Sequence, residues 1–205
     1  MVWPSRQVCR SVRHSFRIGR PYRRAADSTV CRQWTLAAFK LQFYAISYYF
    51  PSNWDGTQLS GDSESWSYVM QFHPNNTGAL IGLGASRTGP GLAQKYYFQG
   101  DQQHDLANGS LITLGAWTDF IFQLNWSSGA LNIYRRDQGA TKFTLVLSIN
   151  EPAMLPDSNG GYFKQGLYRG PDVNGRTDVL WIGPTARGTS FSSVEQAAFG
   201  TNNGF

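Results

Sequence analysis

Between residues 41 and 182 apolar and polar side chains alternate in short runs closed by turn residues, and no stretch of a dozen residues keeps a helical period. Trp66 to His73 (WSYVMQFH) puts Trp66, Tyr68, Met70 and Phe72 on one face and Ser67, Val69, Gln71 and His73 on the other. Trp117 to Trp126 (WTDFIFQLNW) separates Phe120, Phe122, Leu124 and Trp126 from Asp119, Gln123 and Asn125 in the same way. Leu41 to Phe50 (LQFYAISYYF) is an aromatic and β-branched run that stops at Pro51-Ser52-Asn53, a turn cluster. Further strands are predicted at 79–83, 93–99, 130–135, 143–149, 162–168 and 178–182, with a Gly/Pro loop at 88–91 and a hairpin turn at 127–129. The helix candidate is 190–199 (SFSSVEQAAF), with Ser192 or Ser193 as its cap. Roughly eight to ten strands at this spacing, without intervening helices, predict an all-β sandwich or barrel with at most one or two short helices.

Composition agrees with that reading and adds one complication. A chain of 205 residues is long enough for one sizeable core. Its 15% aromatic residues and 22 glycines suit twisted strands and tight turns better than long helices. The net charge of +5 is distributed unevenly. Arg6, Arg10, Arg13, Arg17, Arg20, Arg23, Arg24, Arg32 and Lys40 stand against Asp27 alone in the first forty residues, so the remainder is acidic on balance. The chain therefore divides into an irregular basic arm, 1–35, and a body, 36–205. The body has no basic stripe, zinc-ligand pattern or RNA-binding signature, so neither nucleic acid nor a membrane is expected as a partner. The arm lacks the apolar run of a signal peptide and reads as an aberrant or truncated N-terminus. Cys9 and Cys31 lie within it, and two cysteines in such a segment specify no pairing. Sequons at Asn75, Asn108 and Asn125 are compatible with secretion.

Two strands carry polar residues at period two, the mark of a wet sheet face. Gln71 and His73 share one face of the first. In YFKQGLYR, Tyr162, Lys164, Gly166 and Tyr168 share a face, and Gly166 leaves room between the two long side chains. Gln123 and Asn125 supply a third polar row. Each row has a plain structural reading, since a strand His is ordinarily a hydrogen-bonded surface residue and a Lys and Tyr on one strand are ordinarily solvated. Residue types alone stop at a β-sandwich.

The order of motifs goes further. FYAISYYFPSNW (43–54), WSYVMQFH (66–73), LGAWTDFIFQLNWSSGALNIY (114–134), YFKQGLYR (162–169) and VLWIGPTARGTSFSSVEQAAFG (179–200) together resemble the glucuronan lyases and their heparin-lyase-I-like relatives. The resemblance covers most of residues 40–200. It implies a jelly-roll (concanavalin A-like) β-sandwich whose concave sheet binds an extended acidic polysaccharide and cleaves it by β-elimination. It also implies His73 and Tyr168 as general base and acid, in an order the sequence leaves open. Lys164, helped by Gln71 or Arg169, would neutralise the uronate carboxylate, with Tyr162, Gln123 and Asn125 as further groove residues. No cofactor is expected; a structural calcium is an option of such a fold, although no Asp-rich loop here specifies one. A secreted monomer acting on a uronic-acid polymer is the resulting expectation.

Two alternatives stand beside it. The relatives open with a further groove strand where this chain has its Arg-rich arm, so a homologue inactivated by that loss, or a non-catalytic carbohydrate-binding module, fits the same body. A glycoside hydrolase needs two facing carboxylates. Glu64, Glu151 and Glu195 each lie in or beside a turn or in the terminal segment, and no strand carries two acids on one face.

Overall fold

The computed structural model describes residues 41–54, 67–74, 81–88, 91–98, 103–105, 111–126, 128–150, 161–169 and 179–205. The arm, both cysteines, Trp66, Glu64 and Glu151 lie outside the described residues.

Twelve strands and one helix follow in the order β1 (Leu41–Phe50), β2 (Ser67–Pro74), β3 (Ile81–Thr88), β4 (Gly91–Phe98), β5 (Gln103–Asp105), β6 (Leu111–Ile112), β7 (Ala116–Asn125), β8 (Ala130–Asp137), β9 (Thr144–Asn150), β10 (Gly161–Arg169), β11 (Trp181–Ile182), β12 (Ala186–Gly188) and α1 (Phe191–Phe199). They form two antiparallel six-stranded sheets. The first runs β11-β1-β7-β8-β9, with β12 also on β1, and the second runs β10-β2-β3-β4-β5, with β6 on β4. The chain passes from the first sheet to the second and back twice, as an all-β sandwich requires when its strands are not simple hairpin neighbours.

The aromatic alternation of the sequence builds the space between the sheets. Tyr44, Ile46, Tyr48 and Phe50 of β1 and Phe120, Phe122 and Leu124 of β7 meet Met70 and Phe72 of β2 and Phe163 of β10 in one buried cluster. Phe72 is its hub, with ring centroids 4.7 Å from Tyr44, 6.3 Å from Phe122, 5.8 Å from Trp126 and 5.1 Å from Phe163. Val69, which simple alternation assigns to the wet face, is also in this core. The cause is a β-bulge: the β2–β3 register shifts between Tyr68 and Met70, so two consecutive residues turn inward. Tyr48 donates its hydroxyl to the Val69 carbonyl at 3.2 Å and fixes the irregularity from the opposite sheet.

The other face of the first sheet has a second, smaller core. Phe43 and Ala45 of β1, Ile121 of β7 and Tyr134 of β8 are covered by Val194 and Ala198 of α1. The cap of α1 is Ser190, not Ser192 or Ser193, because the Ser190 hydroxyl is the one that accepts from the Ser193 amide at 3.2 Å. An ionic cluster ties helix to sheet. Arg136 donates to Asp119 Oδ2 through Nε (3.1 Å) and Nη2 (2.8 Å), and through Nη1 to Thr201 Oγ1 (2.9 Å) and Glu195 Oε1 (3.5 Å). Its guanidinium carbon lies 4.5 Å from the Phe143 ring centre and 5.0 Å from that of Phe199. Glu195 is fully buried and also accepts from the amides of Asn203 and Gly204, so its charge is matched on every side shown.

The core tyrosines respond to burial. Tyr44 is pushed up to about 12, chiefly by desolvation, which the nearby Arg187 guanidinium partly offsets. Tyr48 is raised well above the ordinary tyrosine range by burial alone. Both folded values exceed the unfolded one, so the folded state holds the proton longer. That stabilisation is complete below about pH 10 and is lost as pH rises toward the folded values. Urea denaturation should give constant stability up to about pH 10 and then a decline toward pH 12. Tyr44→Phe should make that decline shallower; an unchanged slope would refute the assignment. Arg136→Met leaves Glu195 buried with no cation and should lower stability by about 3–5 kcal/mol, read from the same melts.

Candidate active site

The polar rows of the sequence fall on neighbouring strands. β10, the last strand of the second sheet among the described residues, pairs with β2 so that Tyr162 is the Cα partner of His73 and Lys164 is the partner of Gln71. Between them, Phe163 pairs with Phe72, and both rings are in the core. Inward Phe72 and Phe163 therefore give the positions on either side of them to the outer face of the sheet. Two pairs of chemically useful positions, 71 and 73 and 162 and 164, far apart in the chain, become one block three residues long and two strands wide. Within it Gln71 is 6% exposed and Lys164 is half-buried.

Tyr168 and Arg169 stand further along. Their Cα partners are Tyr68 and Ser67, beyond a register shift between Gln165 and Tyr168. Tyr68 is five residues from His73 on β2, roughly 16 Å for an unbent strand at ~3.3 Å per residue. The sheet is not regular there, since both the β2–β3 and the β10–β2 registers shift in this stretch, and bulges bend and twist the strands that carry them. Gly166, at the shift, has φ 145°, a conformation L side chains rarely adopt. The spacer glycine of YFKQGLYR is thus a backbone requirement as well as an absent side chain.

Gln165 is a residue that sequence reasoning passed over. It occupies the inward side of β10 and is buried, and its Nε2 donates to Thr185 Oγ1 at 2.8 Å. Thr185 immediately precedes β12, so this bond fixes the site-bearing strand to the opposite sheet. The available signal was a polar residue at a core-facing position beside the glycine.

Gln123 and Asn125 lie elsewhere. Both are on β7 in the first sheet, and Gln123 Oε1 accepts from Asn132 Nδ2 (3.2 Å) and the Tyr134 hydroxyl (3.1 Å) on that sheet's own outer side. Asn125 Oδ1 accepts from the Ser128 amide at 3.3 Å and holds the β7–β8 hairpin. The structure does not bring these two residues to the β2–β10 block, because the whole sandwich stands between the two outer faces. Asp119 and Glu195 share that far side and are bound to Arg136. They do not form an accessible carboxylate pair, since Glu195 is fully buried. Among the described residues there is no group of three or more His, Cys, Asp or Glu side chains placed to hold a metal ion.

A family model fixes the class of this sandwich. Residues 38–185 match the family model described as polysaccharide lyase, so the chain belongs to the polysaccharide lyase family. No curated protein matches the sequence. Among solved structures, the catalytic domain of a glycoside hydrolase family 131 protein from Coprinopsis cinerea is similar with a TM-score of 0.53 at 14% identity, covering 76% of this chain and 58% of that one. An alginate lyase from Pseudomonas aeruginosa gives a TM-score of 0.49 at 14% identity, covering 74% of this chain and 65% of that one. A xylan β-1,4-xylosidase from Bacillus halodurans gives 0.50 at 11% identity, covering 73% and 28%. The chain spans less than two thirds of the length of each of these proteins. At such identities the likeness is one of fold.

Gly166→Ala places a Cβ on a residue whose φ is positive. It should lower stability by more than about 1 kcal/mol in urea melts. A variant as stable as the parent would show that the backbone at the β10 irregularity does not need glycine.

Proposed function

We propose that this chain cleaves a uronic-acid-containing polysaccharide, of glucuronan type, by β-elimination over the outer face of β2 and β10. The observation that carries the proposal is the register that sets Lys164 beside Gln71 and Tyr162 beside His73, in a chain of the polysaccharide lyase family.

The reaction explains why those residue types belong together. The proton on C5 of a uronate is held while the neighbouring carboxylate keeps its full charge. Lys164, with the Gln71 amide beside it and Arg169 further along β10, supplies positive charge and donors for that carboxylate, and so stabilises the carbanion-like charge that develops. A general base removes the C5 proton; the C5–H electron pair becomes the C4–C5 double bond; the C4–O bond breaks; and a general acid gives its proton to the departing oxygen. His73 and Tyr168 are assigned to base and acid, each contributing about 10²–10⁴-fold. Tyr162, opposite His73, binds the sugar in this scheme. In this scheme Tyr168 and His73 address one sugar from backbone positions on either side of the register shift beside Gly166. The protein acts as a secreted monomer without a cofactor.

Incubation with polyglucuronate, alginate or heparin should produce the ultraviolet absorbance of an unsaturated uronate, a product that hydrolysis does not make. His73→Ala and Tyr168→Phe should each lower the rate by about 10²-fold or more. Survival of activity in Tyr168→Phe together with its loss in Tyr162→Phe would transfer the acid's role to the cross-strand tyrosine. Binding without any unsaturated product on all three polymers would instead identify a carbohydrate-binding module.

A further inference from the structure

The outer face of the first sheet, on the opposite side of the sandwich from the block just described, is only half covered by α1. The helix packs on β12, β1 and β7 over Phe43, Ala45 and Ile121. Beyond Ser47 and Asp119, the same face continues as a row of aromatic residues in register. Trp181 of β11 is the Cα partner of Tyr49 of β1, and Tyr49 is the partner of Trp117 of β7. Trp181 is 58% exposed, and Tyr49 and Trp117 are half-buried, with ring centroids 5.6 Å apart.

The row is built. Trp117 is held at both backbone atoms by Gln138, whose Oε1 accepts from the Trp117 amide (2.9 Å) and whose own amide donates to the Trp117 carbonyl (3.0 Å). Gly183 clears space for the ring, since a Cβ there would lie 3.1 Å from Trp117 Cζ3 and 2.8 Å from Ser47 Cβ. The charges next to the row are neutralised internally: Asp119 accepts from the Ser47 hydroxyl at 2.6 Å and is paired with Arg136. What remains among the described residues is an uncharged aromatic strip roughly 10 Å from β11 to β7, with the exposed Gln138 at its end.

From this row we infer a second carbohydrate-binding site, in which Trp181, Tyr49 and Trp117 stack against the C–H faces of consecutive pyranose rings of a polysaccharide chain. Three partly exposed rings offer a few hundred Å² at most, well below the ~800 Å² per partner of a stable protein interface, yet enough for a narrow ligand. An uncharged platform favours stacking on ring faces over pairing with carboxylates, so the site holds the polymer and does not select its charge. The inference rests on the family membership and not on the β-elimination scheme.

Affinity electrophoresis of the full chain in gels containing polyglucuronate, alginate or a soluble neutral β-glucan tests it. Trp181→Ala should weaken retardation by roughly fivefold in each gel that retards the parent, the effect of losing one aromatic contact. Its circular dichroism and its turnover of short oligouronates should be unchanged. Lys164→Ala is the control for the β2–β10 face. If Lys164→Ala abolishes retardation and Trp181→Ala leaves it intact, or if no polymer retards the parent, the second site is overturned whatever the outcome for lyase activity. A dimer in size-exclusion chromatography that Trp181→Ala dissociates would assign the row to a second copy of the chain and overturn it equally.

Discussion

Most of this structure depends on where the ring of Phe72 goes. It is packed among Tyr44, Phe122 and Trp126 of the facing sheet and Phe163 of its own neighbour, so the strand that carries it has one permitted register. A slip of one residue would turn Phe72 out of the space between the sheets and polar positions into it, forfeiting several buried aromatic contacts. Phe163 imposes the same condition on β10. The juxtaposition of Lys164 with Gln71, and of Tyr162 with His73, is therefore a consequence of aromatic packing on the hidden side of the sheet. No direct bond between those polar residues is needed to place them.

The two outer faces have opposite characters, and the difference follows from what covers them. On the first sheet, α1 and the segment after it bury a guanidinium and two carboxylates in one matched cluster, which commits those acids to structure. On the second sheet, the block on β2 and β10 has a lysine and an amide at its described positions. One side of the sandwich thus offers a lysine and an amide, and the other a row of ring faces that are indifferent to charge.

Alternation made much of this legible in the sequence. The inward and outward sets of β7 are those the pattern predicts, and the family resemblance placed His73, Lys164 and Tyr168 on strands of one sheet. The departures have physical causes. Val69 is inside because a bulge interrupts period two, and no residue type in WSYVMQFH marks it. β5, β6 and β12 are too short to show any period. Gln123 and Asn125 were correctly assigned to the polar side of their strand, but alternation says which face of a strand is wet and not which sheet the strand joins. That the sheets pair β10 with β2, and β1 with β7, is long-range information that local pattern does not contain.

The pairing of β1 also governs when the molecule can form during synthesis. One edge of β1, near the start of the body, is closed by β11 and β12, and its outer side by α1, which is in turn fastened through Glu195 to Asn203 and Gly204. A ribosome must therefore release almost the whole body before β1 acquires those partners. Until then Phe43, Ala45 and the exposed edge of β1 lack their native cover, and such late, long-range closure is slow and prone to aggregation.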